Sequence, residues 1–447
     1  MSIAEMALPN GGSQTGFGET FQANPFTGAL SFIVPIPITP TNRRSQPELQ
    51  ITYSTGNGVF GRGFGLTLPS VSRRTDKGIP RYDQSDQFVL AGSEQLVLQQ
   101  ELIGEEWRPV RSVIEIDDTE FEVTRYRPRI ENSPSKIEFW VNKQNKSDCH
   151  WRVTNRAGVT SCFGSNEHSR ITDPDDPNRI FEWLIDIESA PDGSCTRYHY
   201  RSDSISGSAN RYPDRISYGN LRPDKCDAFE DFAFEVIFDY GERDINQTKA
   251  SLDSVHETPL RPDPILNFRA GFERTTSFLC KNILMVHRFP DELGKDASLV
   301  SAISFDYETE SCGAVLSTIR HCGFVQEGEH YRRKSLPPLD ITYSKFAPQA
   351  NQLTEFDLKG SGIAAQIGPD SCNLVDVFGD GLPGILLTNG DALMYARPCG
   401  DGCFETSKAL PLVPIDYLHE DNRCAMMDIS GTGRLDVVVA TPSRAGF

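Results

Sequence analysis

The sequence predicts an all-β protein, and three observations carry that expectation. Apolar and polar residues alternate with a period of two along most of the chain. The 36 glycines and 29 prolines are spread through the length and not gathered in one linker, as suits many short strands joined by turns. Helical periodicity is weak throughout.

Taken in order, "ALSFIVPIPIT" places Leu30, Phe32, Val34, Ile36 and Ile38 on one face, with Pro35 and Pro37 on the other. Prolines cannot donate to a ladder, so this segment is expected to be an edge strand. "PELQITYSTG" repeats the alternation with Leu49, Ile51 and Tyr53, and "GFGLTLPSVSRRT" does so with Phe64, Leu66 and Leu68. Further strands are expected in "KIEFWVNKQ", "HWRVTNRAGVTSCFG", "RIFEWLIDIES", "TRYHYRSD", "FAFEVIFDYGE", "LVSAISFDYETE" and "PPLDITYSK", each bounded by Gly, Asn, Asp or Pro. "KNILMVHRFPDELG" reads as a strand followed by a turn.

Composition removes several classes of function. With 62 acidic and 44 basic side chains the formal charge is −18, which disfavours the many phosphate contacts of a nucleic-acid binder. No apolar run is long enough for a transmembrane helix. The start, "MSIAEMALPNGG", has no basic segment followed by an apolar stretch, so no conventional secretory signal is expected. The 11 cysteines form no C-x-x-C pair and are expected to be mostly reduced, buried thiols. Cys399 and Cys403 in "CGDGC" are the exception: they could close a small disulfide or supply half a zinc site completed by His419 and Cys424.

Several long segments, in order, resemble one family. "GETFQANPFTGALSFIVPIPI", "PELQITYSTGNGVFGRGFGLTLPSVSRRTDKGIPRY", "RISYGN", "FDYGER", "FRAGFERTTSFLCKNILMVHRFP" and "SLPPLDITYS" are similar to SpvB-type virulence plasmid proteins and to the B component of insecticidal toxin complexes (Tc toxins). "FEWLIDIESAPDGSCTRYHYRSD" also resembles the tyrosine-rich hairpins of RHS/YD proteins. The resemblance implies a large antiparallel sheet or sandwich, an RHS-like wall of a hollow shell around a toxic polypeptide. It further implies a C-type (RHS) subunit and an A-type pore subunit, or a covalently linked effector, as partners. Extracellular delivery without a conventional signal peptide, after a cytoplasmic stage, follows from the same likeness. The ADP-ribosyltransferase of SpvB-type proteins belongs, by the family pattern, to a separate domain after the matching region.

Beyond about residue 346 the pattern changes. "LVDVFGDGLPGILLT" and "MMDISGTGRLDVVVAT" form a repeat of about 50 residues, with Asp376 matching Asp428, Gly379 matching Gly431 and Gly381 matching Gly433. A strand on each side of a glycine turn suits a β-propeller blade. Gly379, Gly381 and Gly384 also fit G-x-G-x-x-G, yet Pro383 and a short strand follow where a dinucleotide site needs a helix. The loops resemble the calcium-binding FG-GAP/VCBS loops of integrin-like propellers. Asp376 and Asp380 remain in the first, with Phe378 and Gly384 where carboxylates are expected; Asp428, Ser430, Thr432 and Asp436 remain in the second. Two carboxylates per loop support only weak, millimolar calcium binding, and a purely structural turn is the main expectation. About two repeat units fit where a propeller needs about four to eight. The expected set is therefore incomplete, closed by another chain or by downstream residues.

The domain division expected is a flexible start over 1–14, an SpvB-like β-rich region over 15–345, and propeller-like blades over 346–447. No catalytic constellation emerges: there is no G-x-S-x-G elbow, H-E-x-x-H helix or Walker A loop. Glu308 with Glu310, and Glu327 with Glu329, match the Glu-x-Glu spacing of ADP-ribosyltransferases without a recognisable NAD-binding core. The pairs Cys149-His150 and His321-Cys322 are expected to point to opposite strand faces. The function expected is a non-catalytic structural and translocation subunit of a toxin complex, with an adhesion module using an integrin-like propeller as the alternative.

Overall fold

The computed structural model describes residues 18–23, 30–92, 94–130, 134–203, 208–223, 225, 228–245, 252–293, 296–310, 313–327, 330–343, 372–389, 392–400, 402–410, 424–430, 435–441 and 444–446. Among them, helix is confined to single turns of three or four residues at Glu167–Ser169, Phe229–Asp231 and Pro290–Leu293. The last of these is the turn expected after "KNILMVHRF". The chain divides into two compact units, residues 1–75 with 79–346, and 76–78 with 347–447.

The first unit opens with a four-stranded antiparallel sheet, β1 (Thr20–Ala23), β2 (Leu30–Pro35), β3 (Gln50–Gly58) and β4 (Gly61–Leu66), in that order. Period-two alternation turns Phe32, Val34, Ile36, Leu49, Ile51 and Phe64 into the core, where all are buried. The edge-strand expectation for β2 is corrected: it pairs with β1 on one side and β3 on the other. Pro35 is tolerated because it is the last residue of the strand, beyond Ile33, the last residue that β1 pairs. Gly61, at φ +80°, passes so close to the carbonyl of Ala314 that a Cβ would sit 2.8 Å from its oxygen.

The chain then builds a barrel that sequence alternation had not announced. Its strands are β5 (Ser70–Arg73), β6 (Phe88–Leu90) and β7 (Glu94–Leu98), followed, after an excursion, by β11 (Thr119–Pro128), β12 (Lys136–Asn142), β13 (Cys149–Thr154) and β14 (Thr160–Phe163). The excursion comprises β8 (Gln100–Ile103), β9 (Glu106–Pro109) and β10 (Arg111–Ile116). β15 (Arg170–Asp173) and the long β16 (Asp176–Ser189) complete the region. Antiparallel pairing runs β5–β6–β7–β11–β12–β13–β14–β16 and back to β5, closing a ring of eight strands. A ring of this size has an interior that side chains can fill. Here aromatic rings fill it: Trp151 lies 4.9 Å from Phe88 and from Tyr126, 4.6 Å from Phe139 and 6.2 Å from Trp183, between centroids. Trp183 Nε1 donates to the carbonyl of Cys149 (3.1 Å). Arg73 packs over Phe88, Trp183 and Tyr82, donates through Nε to Ile180 O (2.8 Å) and pairs with Asp86 (2.7 Å).

From β16 the sheet continues outward as a meander of β17 (Cys195–Ser202), β18 (Arg211–Asn220) and β19 (Phe232–Asp239). A small ribbon, β20 (Ile265–Asn267) with β21 (Arg274–Thr276), intervenes. β22 (Asn282–His287), β23 (Ser298–Glu310), β24 (Gly313–Glu327) and β25 (His330–Ser335) extend the meander, and the short β26 (Leu339–Asp340) also pairs with β24. The N-terminal sheet packs against it through the β3–β4 turn: Phe60 stacks edge-on against Phe305 (5.1 Å), and Cys280 N–H donates to Val59 O (2.7 Å). Tyrosines clasp neighbouring strands with their rings in the core and their hydroxyls on carbonyls. Tyr200 reaches Ile185 O, Tyr240 reaches Pro213 O, Tyr307 reaches Cys280 O and Tyr343 reaches Leu316 O, at 2.5 to 2.8 Å.

The second unit contains an antiparallel sheet of β27 (Cys372–Val375), β28 (Gly384–Asn389), β29 (Ala392–Ala396) and β32 (Lys408–Ala409). A ribbon of β30 (Pro398–Gly400) with β31 (Cys403–Phe404) and a three-stranded sheet of β33 (Cys424–Met427), β34 (Asp436–Thr441) and β35 (Arg444–Gly446) accompany it. Among the described residues no helix is long and apolar enough to cross a membrane.

The barrel interior sets a clear stability contrast. Trp151→Ala is expected to cost about 3–5 kcal/mol in denaturant unfolding of the first unit, because a fully buried ring leaves a cavity. Trp107→Ala, at a residue 65% exposed, is expected to change it by less than about 0.5 kcal/mol.

Candidate functional site

The sites singled out from sequence lie in the second unit. Val375 ends β27 and Gly384 begins β28, and the Asp-Gly loop joins them. Asp376 organises that loop: Oδ1 accepts from the amides of Gly379 (2.9 Å) and Asp380 (3.3 Å), and Oδ2 accepts from Gly381 (2.8 Å). Gly379 and Gly381 adopt φ of +68° and +81°, which glycine takes without strain and which aims these amides at the carboxylate. Asp380 accepts from Leu382 N–H (3.1 Å) and pairs with Arg397 (3.0 Å), and these contacts hold its carboxyl below the usual carboxylate range. Arg397 lies over Phe378, whose ring packs edge-on against Tyr395. Phe378, standing where a calcium loop has a carboxylate, thus links the loop to β29 by ring contacts.

In the second loop Asp436 begins β34 and accepts from Ser430 N–H (3.0 Å); Asp428 also has an interaction partner. Thr432, Gly431 and Gly433 lie outside the described residues. Across the described residues, no three His, Cys, Asp or Glu side chains gather into a metal-ligating group. Cys399 and Cys403 are both free and exposed thiols on the β30–β31 ribbon. His419, offered as a further zinc ligand, lies outside the described residues, and Cys424 begins β33.

The Glu-x-Glu pair Glu308 and Glu310 sits at the end of β23, opposite Val315 and Gly313, with Glu308 exposed. Glu327 ends β24, and Glu329 lies outside the described residues. Cys149 is buried with the barrel core, whereas His150 packs on Trp140 and Phe121 and accepts from Arg152 Nε (3.1 Å). Burial first, then Arg152 and Arg170, lower His150 to about 4, so at neutral pH the ring is an uncharged packing element. Burial likewise lowers His321.

Sequence reading did not anticipate the dense buried charge cluster inside "FDYGER". Asp239 accepts from Arg243 N–H (3.0 Å) and Asn282 Nδ2 (2.6 Å). Glu242 accepts from Tyr240 N–H (2.9 Å), Arg201 Nη1 (3.0 Å) and Arg243 Nη1 (2.8 Å). Burial raises Asp239 above its ordinary value despite these donors. Both carboxylates are committed to the turn after β19 and to its neighbours. Two acidic residues around a glycine at the end of an apolar strand were the available signal.

Comparison with known proteins follows the same line. The model of the family described as "SpvB: Salmonella virulence plasmid 65kDa B protein" matches residues 24–289, more than half of the chain. The mono(ADP-ribosyl)transferase SpvB of Salmonella typhimurium is 32% identical over 352 residues, covering 73% of this chain and 58% of the relative; the Salmonella dublin protein of that name is also 32% identical, with 57% of it covered. The chain therefore spans less than two thirds of these relatives. The N-terminal domain of the effector SpvB from Salmonella typhimurium superposes with a TM-score of 0.59 at 29% identity, over 65% of this chain and 99% of that one. TcdB2-TccC3 superposes with a TM-score of 0.79 at 27% identity, over 98% of this chain and 22% of that one. The Photorhabdus luminescens Tc holotoxin pore gives the same TM-score and identity over 100% and 22%.

Two outcomes are expected. Asp376→Ala removes both oxygens that accept from three amides and should cost about 1 kcal/mol locally. Hydrogen exchange should show this as lost protection at Gly379 and Gly381, with Asp376→Asn in between. For His150 the folded value lies below the unfolded one, so between about pH 4 and 6.5 the unfolded chain holds the extra proton and stability rises with pH. Burial raises Asp186, Glu188 and Asp239, which act in the opposite sense over their own windows. The difference between the parent and His150→Phe therefore isolates the imidazole. That difference should slope by up to about 1.4 kcal/mol per pH unit inside the window and flatten above it.

Proposed function

The chain belongs to the SpvB family, and from that premise we propose that it is a non-catalytic structural part of a bacterial toxin complex, a β-wall that encloses or carries a toxic effector for translocation. The carrying observation is the TcdB2-TccC3 superposition, which extends over 98% of this chain and so takes in residues of both units. The use made of ionisable groups supports the same reading. Asp239, Glu242, Asp186 and His150 are buried and engaged in turns, caps and ring stacking, and the Glu-x-Glu pair stands on an open strand end.

The partners proposed are a C-type (RHS) subunit and an A-type pore subunit, or an effector on the same polypeptide, and the site of action is extracellular. The effector option rests on the 32% identity to proteins named mono(ADP-ribosyl)transferase, under which these residues would be the carrier region for a transferase domain located downstream. The second unit is proposed to contribute propeller blades whose Asp loops act as turns. Asp376 is engaged by its own backbone and Asp380 by Arg397, which leaves calcium affinity in the weak, millimolar class at most.

Co-expression with a C-type RHS subunit tests the role: a stable complex that shields a passenger from protease is expected, and persistent failure to associate would sink it. For the loops, a chelator should leave the melting temperature within about 1 °C of its value in micromolar calcium. A large drop would assign them a tight ion site.

A further inference from the structure

The excursion between β7 and β10 is a two-stranded ribbon that belongs to no larger sheet. β8 and β9 pair only with each other among the described residues, and every one of their residues except Pro109 is exposed. The ribbon is rooted in the barrel wall by Gln99 N–H on Arg125 O (3.0 Å) and Val110 N–H on Gln99 O (2.9 Å). Isolated two-stranded ribbons are marginal in water, and neighbouring exposed apolar side chains on one are a candidate surface for another chain to cover. Leu102 and Trp107 face each other directly across this ribbon and are 56% and 65% exposed. Ile103 beside them and Val113 on β10 are also more than half exposed.

The charge around this apolar pair indicates what covers it. Residues 100–122 carry eight acidic side chains and two basic ones, Arg108 and Arg111. At the far end of β10, Glu115 stands directly opposite Glu120. Like charges so placed destabilise a ladder unless a cation joins them, and Lys143 reaches only Glu120 (2.8 Å). The turn between them is Asp117-Asp118, both at positive φ, which adds two carboxylates at the tip. β10 itself pairs only with β11 among the described residues, so its other edge is open.

We infer that the β8–β9 ribbon and the β10 edge form a docking surface for an extended, basic segment of a partner protein. Its apolar side chains cover Leu102 and Trp107, and its cations meet the Glu115–Glu120 end. Nucleic acid and anionic membranes share the sign of this surface and are disfavoured. A second copy meeting ribbon to ribbon would bring the same apolar pair and the same negative charge; a second copy docking through its basic strand His330–Ser335 is an outcome of the test below.

The probe is a labelled peptide alternating lysine and valine, followed by anisotropy on the full chain, with a glutamate–valine peptide as counterpart. Saturable binding of the cationic peptide is expected, weakened by salt, with the anionic peptide inert. Leu102→Ser/Trp107→Ser should weaken it about tenfold, and Glu115→Gln/Glu120→Gln about threefold. All four side chains are exposed, so unchanged melting temperatures keep the comparison valid; a further variant, Trp107→Lys, should repel the peptide without touching the core. Trp107 also reports directly, because Trp140, Trp151 and Trp183 are buried. Its acrylamide-quenchable emission should be protected when the peptide binds. Binding that survives in both double variants would reduce the effect to the overall charge of −18 and overturn the inference. So would concentration-dependent self-association abolished by Trp107→Lys, which would name the chain's own basic edge strand, His330–Ser335, as the occupant.

Discussion

Everything in the first unit depends on one pairing, that of Ser70–Ser72 on β5 with Glu182–Leu184 on β16. This contact turns a linear run of strands into a ring. It places Val71 opposite Trp183, and with the ring closed Trp183, Trp151, Phe139, Phe88 and Tyr126 become one aromatic interior. Closure also removes two edges that would otherwise stand open. The same β16 strand then carries the sheet outward: Ile187–Ser189 pair with β17 and begin the meander. One strand therefore belongs to both barrel and meander, and loss of its register would disorganise both.

Alternation made much of this legible, and its limits follow from what alternation encodes. It reports which face of a strand is apolar, and Phe32, Val34 and Ile36 are buried as their spacing required. It does not report which strand lies alongside, so the pairing of Val71 with Trp183, more than a hundred residues apart, left no local trace. The two prolines of "IVPIPI" misled for a related reason. A missing donor matters only where a partner strand faces it, and Pro35 ends its strand just where β1 has stopped pairing. For the charged groups the sequence shows Asp239, Glu242 and Arg243 as one motif. Their partners Arg201 and Asn282 come from strands about 40 residues away on either side. The Asp-Gly loop was more readable because its hydrogen bonds are local, within five residues of Asp376.

The placement of ionisable groups bears on function more than their number. A reactive centre needs groups that converge on a space a substrate can enter, with donors and acceptors left over. Several buried carboxylates here hold neighbouring elements together, although Asp186 Oδ1 itself accepts no hydrogen bond. Asp186 accepts from Ser165, Asn166 and Ser169 to pin a single turn of 3-10 helix, and Glu235 meets Arg215 and Arg288 across neighbouring strands. Such pairs add little net stability, since desolvation offsets most of their attraction.

The sheet of the first unit ends in strands that differ in charge. At one limit β25 offers His330, Arg332, Arg333 and Lys334 along a strand that pairs only with β24 among the described residues. At the other, β10 offers Arg111 and Glu115 and leads into the Asp117-Asp118 turn. Charged side chains on short edge strands are a recognised means of discouraging indiscriminate sheet growth.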